Sequence, residues 1–310
     1  MPLARYSEFL KREISELKQS GTAKGDERVV VKITRAKGKK GPRFFLKGYG
    51  KRDFIRMNSN SYLGLQFRKD ILKAEEKGAE KYGVGPGAVR FISGSYEAHI
   101  ELEKALAKFH GRDDCMITSS AYTAVLGVIA SLTTPETIIV SDELNHNCII
   151  NAMKLARPKD KKIFKHLDLT QLEKCIKDSI GLCEHLIVIS DGVFSMRGDY
   201  APLDKMVEII KKYNNEFSKD IVFVVDDSHG VGALGKTGRG TEELTSAGNV
   251  DILVATLGKA FAVNGGYIVS NSSVITYLRE KNPFYIYTNP ITPSEAAAAL
   301  KSLEILKSQE

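Results

Sequence analysis

Apolar and polar positions follow two rhythms along the chain. Short continuous apolar runs fall at 115–118, 137–140, 162–164, 185–190, 221–225, 252–255 and 267–269. Runs this short predict buried strands. Between and around them, apolar residues recur at helical spacing over 69–82, 97–110, 121–132, 148–155, 169–178, 202–213 and 293–307. Strands alternating with helices predict an α/β fold, a mostly parallel sheet with helices on both faces. Ahead of this block, 4–19 spaces Phe9, Ile14 and Leu17 among charges as an amphipathic helix does, and 21–50 is rich in Gly and Lys with β-like runs at 29–33 and 43–46. The expected organisation is an N-terminal helix and β extension over 1–50, a large domain over 51–290, and over 291–310 the start of a helix leading onward. No internal repeat is visible.

Composition narrows the class. With 310 residues, 43% of them hydrophobic, the chain can form one large domain or one and a half. Cys115, Cys148, Cys175 and Cys183 form no CxxC pair and no metal-ligand spacing, so reduced thiols, a cytoplasmic setting and no metal are expected. No apolar run approaches the ~20 residues of a bilayer span, and no signal-peptide core is present, so no membrane role is expected. The net charge of +7 raises nucleic acid as a partner. The basic residues read as scattered, with local clusters at 37–40 and 159–162. A solvated basic surface is expected, without a nucleic-acid partner, and its field suits an anionic cofactor and a CoA substrate.

Candidate chemistry concentrates in DILVATLGKAFAVNGGY, residues 251–267. A buried strand there runs directly into Thr256, Gly258 and Lys259. A lysine at a strand's end lies at the sheet edge where α/β folds bind ligands. Desolvation lowers its pKa towards the free amine that a Schiff base requires. The strand at 221–225 ends in Asp226, Asp227, Ser228 and His229, and a carboxylate at a buried strand end calls for a cation. The next residues, GVGALGKT at 230–237, match the P-loop pattern. Gly238 and Gly240 then oppose the helix that a phosphate-binding P-loop feeds, so a loop is expected and not a nucleotide site.

These segments together resemble the α-oxoamine synthases, fold-type I enzymes that use pyridoxal 5'-phosphate (PLP) to join an amino acid to an acyl-CoA. The similarity extends from about Asn58 to about Ser294. TLGKAF resembles the family's cofactor-lysine segment, DDSH its D-[DE]-[AS]-H, and NSNSYLGL its entry loop. YGVGPGAVRFISG resembles a glycine-rich stretch that borders the family's active site. SDELNH carries the family's ring-stacking histidine at His146, and SDGVFSMRGD resembles [ED]-G-V-[FY]-S-M-[DE]-G-D.

The resemblance implies an aspartate-aminotransferase-like fold and a homodimer with shared active sites. It implies Lys259 as the Schiff-base lysine and general base, Asp226 opposite the ring nitrogen, and His229 with Ser195 on the ring hydroxyl oxygen. Ser120, Ala121, Tyr122 and Thr256 are implied at the phosphate, with Thr288 and Asn289 reaching it across a dimer interface, and Asn60 and His146 facing substrate. Ala121, Val125 and Arg197 stand where the family usually has glycine, asparagine and an acid, which keeps open a degenerate binder without turnover. Glycine with acetyl-CoA is the expected substrate pair, on Asp191 and Ser228. 8-Amino-7-oxononanoate synthase of biotin synthesis is the alternative. Family members usually continue into a small domain that supplies a carboxylate-binding arginine. The expectation is therefore cofactor binding with weak turnover, with a separate C-terminal piece as a partner; the alternative is a complete product that uses another cation, such as Arg43 or Arg90.

Overall fold

A computed structural model describes residues 3–308 and divides into two compact units, 1–59 and 60–310. In the first, α1 (Ala4–Gln19) has no buried residue. It is followed by a three-stranded antiparallel sheet in the order β1 (Val30–Thr34), β2 (Arg43–Leu46), β3 (Asp53–Phe54). Phe44 is the buried side chain of this sheet, and the Arg56 guanidinium lies 4.8 Å from its ring centroid.

The second unit opens with α2 (Lys69–Tyr82) and α3 (Glu97–His110), and then alternates strands and helices. In chain order these are β4 (Asp114–Thr118), α4 (Ala121–Leu132), β5 (Thr137–Asp142), α5 (Asn147–Ala156), β6 (Asp160–Phe164), α6 (Leu169–Lys177) and β7 (His185–Asp191). The small hairpin β8 (Val193–Phe194) and β9 (Asp199–Tyr200) comes next, then α7 (Leu203–Tyr213), β10 (Ile221–Asp226) and the short α8 (Thr241–Thr245). The order ends with β11 (Ile252–Thr256), β12 (Gly266–Ser270), α9 (Ser272–Lys281), α10 (Pro283–Ile286) and α11 (Pro293–Ser308). Seven strands form one sheet in the order β4-β12-β11-β10-β7-β5-β6. β6, β5, β7, β10 and β11 pair in parallel, and β12 runs antiparallel to both its neighbours.

Alternation along the strands explains why their sequences read as unbroken apolar runs. In β7, Leu186 and Val188 join a core with Leu102, Leu106, Met206 and Leu303 from α3, α7 and α11. Ile187 and Ile189 point the other way, onto Val125, Val128, Ile149 and Leu278 from α4, α5 and α9. A strand covered on both faces has no polar side to show. The mostly parallel sheet with helices on both faces is the fold expected from the sequence, and among the described residues no helix is long and apolar enough to cross a membrane.

Candidate active site

The C-terminal ends of the parallel strands converge on a cavity of about 280 Å³ lined by Ser120, Ala121, Tyr122, His146, Cys148, Asp191, Ser195, Asp226, Ser228, His229, Thr256 and Lys259. Larger hollows exist, one of about 370 Å³ beside Asp251 and one of about 610 Å³ beside Glu75 and Glu295. Neither gathers a lysine, buried carboxylates and a helix N-terminus in one place, so chemistry and not volume selects the smaller one.

Each wall follows from a strand ending. β10 stops at Asp226, which is 6% exposed. Its Oδ1 accepts the Ser228 amide at 3.1 Å, and its Oδ2 lies 3.5 Å from the Cys148 thiol. β7 stops at Asp191, also 6% exposed, whose Oδ2 accepts the His146 amide at 2.8 Å. Desolvation, then the neighbouring Asp226 charge, push the Asp191 carboxyl well above its usual value. Asn145, buried in the turn after β5, ties these endings together. Its amide nitrogen donates to Ser141 Oγ and the Ile189 carbonyl, both at 2.9 Å, and its oxygen accepts the Asp191 amide at 2.8 Å. His146 then caps α5, with Nδ1 accepting the Cys148 amide at 3.2 Å.

Lys259 follows β11. Desolvation lowers its amine pKa, against the pull of Asp226, Asp191 and the Cys148 thiol. No ion pair or hydrogen bond engages this amine among the described residues, although two buried carboxylates line the same cavity. His229 is pushed down to about 4 by desolvation and then by the Lys259 charge, so it is neutral near pH 7; its Nδ1 lies 2.6 Å from the Tyr62 hydroxyl.

The wall at α4 is suited to an anion. Ser120 caps the helix, its Oγ accepting the Thr123 amide at 3.1 Å. This leaves the amides of Ala121 and Tyr122 in the first turn, beside the cavity. β12 is pressed against this turn: a Cβ on Gly266 would lie 2.2 Å from the Ala121 nitrogen. Ala121 keeps a helical backbone, so no glycine is needed there, and Val125 is fully buried in the core.

The cavity therefore fits PLP on its own terms. It holds a desolvated lysine, a buried carboxylate without a cation, helix amides suited to phosphate, and a buried Ser228 Oγ with no partner. Of the residues expected from sequence, it brings together Ser120, Ala121, Tyr122, His146, Ser195, Asp226, His229, Thr256 and Lys259. Asn60 and Asn289 are exposed outside it, and Thr288 bonds the Phe284 carbonyl instead. Cys148 and its contacts were missed, because a free cysteine in an apolar segment reads as core. Asp191 and Ser228, which the sequence offers only as substrate markers, line the cavity as well.

Two other expectations change. Arg90 is 4% exposed and forms a bidentate pair with Glu103 at 3.0 and 3.1 Å, so it is not a spare substrate cation. Arg43 donates to the carbonyls of Gly41 and Pro42 and lies 3.7 Å from Asp53. Arg197, which stands where the family usually has an acid, pairs with Asp199 at 3.4 Å. The glycine run 230–240 forms turns without a following long helix. The Glu243 carboxylate accepts the amides of Thr237 and Arg239 at 2.9 and 3.2 Å, so an internal anion already holds that loop.

Comparison with known proteins agrees with this geometry. Residues 52–310 match the model for aminotransferase class I and II. The 8-amino-7-oxononanoate synthase of Thermosipho melanesiensis is 39% identical over 306 residues, covering 98% of this chain and 73% of that protein. 8-Amino-7-oxononanoate synthase 1 of Bacillus velezensis is 37% identical over 300 residues, covering 96% and 72%. Among solved structures, serine palmitoyltransferase from Sphingomonas wittichii superposes with a TM-score of 0.85 at 27% identity, covering 99% of this chain and 73% of that one. A serine palmitoyltransferase structure carrying PLP gives 0.84 at 28%, covering 100% and 74%. The chain belongs to the aminotransferase class I and II family and, within it, to the PLP-dependent α-oxoamine synthases.

Proposed function

We propose that this enzyme forms 8-amino-7-oxononanoate by decarboxylative acyl transfer to alanine. The observation that carries this is the agreement of its sequence relatives, which bear that product's name over nearly the whole of this chain. Carbon counting gives the substrates. The oxo carbon C7 and the six carbons behind it are a seven-carbon dicarboxylic acyl group, delivered as its CoA thioester. C8 and C9 are what alanine retains after losing its carboxylate. One C–C bond forms, the acyl C–S bond breaks with release of CoA thiol, and the amino acid's carboxylate leaves as carbon dioxide. Glycine with acetyl-CoA finds no support. Asp191 is engaged by the His146 amide, and neither it nor Ser228 reports on acyl length.

PLP, when bound, supplies an electron sink for negative charge at the amino acid's α-carbon. Lys259 is the proposed attachment point, and desolvation, by lowering its pKa, favours the free amine that attachment and proton transfer require. Asp226 offers a buried anion to a cationic ring N–H. The Ala121 and Tyr122 amides, with Thr256, take the phosphate. Neutral His229 and Ser195 are proposed to bond a ring oxygen, and His146 to face the ring and the substrate. Thr288, Asn289 and Asn60 are proposed to act in a homodimer's shared sites.

The test compares CoA release with alanine plus pimeloyl-CoA against glycine plus acetyl-CoA, with product masses measured. Faster turnover of the first pair, giving a product of the mass of 8-amino-7-oxononanoate, is expected. Turnover confined to the second pair overturns the proposal.

A further inference from the structure

Cys148 is 1% exposed and lines the active-site cavity, and no role for it follows from the cofactor chemistry above. Its sulfur lies 3.0 Å from His146 Nδ1 and 3.5 Å from Asp226 Oδ2. Its own amide donates to the same His146 Nδ1 at 3.2 Å. One residue therefore touches both a ring-facing histidine and the buried carboxylate. We propose that Cys148 is a positioning residue whose thiol holds the Asp226 carboxylate while its amide fixes the ring of His146. This rests on the reading of the cavity as the PLP site.

The proton inventory assigns each contact. The thiol has one hydrogen and keeps it, because burial and then the Asp226 and Asp191 charges oppose a thiolate. A thiol next to a carboxylate acts as the donor. Nδ1 of His146 already accepts the Cys148 amide, which makes Nε2 the protonated nitrogen of the neutral ring. The thiol proton is thus free for Asp226 Oδ2, while the Ser228 amide serves Oδ1. With a second carboxylate, Asp191, in the same cavity, each donor to Asp226 helps it remain ionised. Alanine at 148 removes the thiol and leaves the amide. Serine restores a donor with shorter reach.

Two measurements test this. In the cofactor-free protein, the infrared S–H stretch assigned by difference against Cys148→Ser should appear as a hydrogen-bonded thiol and shift on Asp226→Asn. In the PLP-loaded protein, Cys148→Ala should weaken PLP binding roughly 2–10-fold, the worth of one hydrogen bond, and displace the pH midpoint of the visible band. Cys148→Ser should recover most of both. An S–H band unaffected by Asp226→Asn, or a Cys148→Ala protein with unaltered binding and pH profile, overturns the proposal. Equal losses in the Ser and Ala variants that track their melting temperatures reduce Cys148 to packing and also overturn it. If wild type shows the responsive S–H band but takes up no PLP, the reading of the cavity fails and the contact with Asp226 stands.

Discussion

Lys259 and His110 show how burial sets chemistry residue by residue. Lys259 sits in a cavity with two buried carboxylates, yet desolvation still brings its amine down. Lys259→Ala should abolish the visible band that wild type loaded with PLP retains after desalting, and borohydride should fix cofactor in wild type to the peptide containing Lys259. Label on another lysine would contradict the assignment. His110 is fully enclosed, with Nε2 2.9 Å from the Tyr267 hydroxyl, and burial, then Arg112 and Arg239, drives it down to about 3. Because the folded value is depressed, the unfolded chain binds the extra proton. Stability from this residue is therefore complete above about pH 6.5 and drains as pH falls towards 3. At pH 5 the loss is ~2 kcal/mol. Asp227, raised to about 7 by burial, works in the opposite sense, favouring the fold at low pH. His110→Gln should thus raise urea stability at pH 5 relative to pH 7, when set against wild type, by ~2 kcal/mol, and an identical pH dependence in the two proteins would show that His110 does not contribute to it.

Among the elements, β12 is decisive. Gly266→Ala should overpack the junction with α4 and cost about 1–3 kcal/mol or more. It should also weaken PLP binding more than the melting temperature alone predicts, since the amides proposed to take the phosphate lie in that turn; calorimetry beside a PLP titration separates the two. The loop 230–240 makes the contrary case. Lys236→Ala should leave PLP binding unchanged, and equilibrium dialysis should find no ATP bound, because Glu243 already occupies the loop's amides. Most elements were legible from their spacing, α2, α3 and α4 to the residue. α9 was not, since Val274, Ile275 and Leu278 are few among polar neighbours. The direction of β12 could not be read, because an apolar run is the same whichever way it is paired. Cavity residues that end strands, such as Asp226 and Thr256, were legible from position. Cys148 was not, because the Asp226 carboxylate that it touches lies 78 residues further on, and only the fold brings the two together.

At the scale of the whole molecule, the charge is divided. Residues 1–59 carry 16 Lys and Arg against 6 Asp and Glu, while residues 60–310 carry 29 against 32. The basic residues are therefore concentrated in the first unit and not scattered, and the unit with the cofactor cavity is slightly acidic. Its sheet has a further property. β4, the first strand in sequence, pairs with β12, the last, Ile117 opposite Tyr267. β4 therefore waits as an unpaired edge while the intervening strands are synthesised, a closure over long sequence separation that is intrinsically slow. On the ribosome, the anion pocket at α4 has no floor until Gly266 emerges. Nascent chains stalled before that point should bind no PLP and be open to protease near β4, and chains stalled well after Ser270 should acquire both binding and protection together.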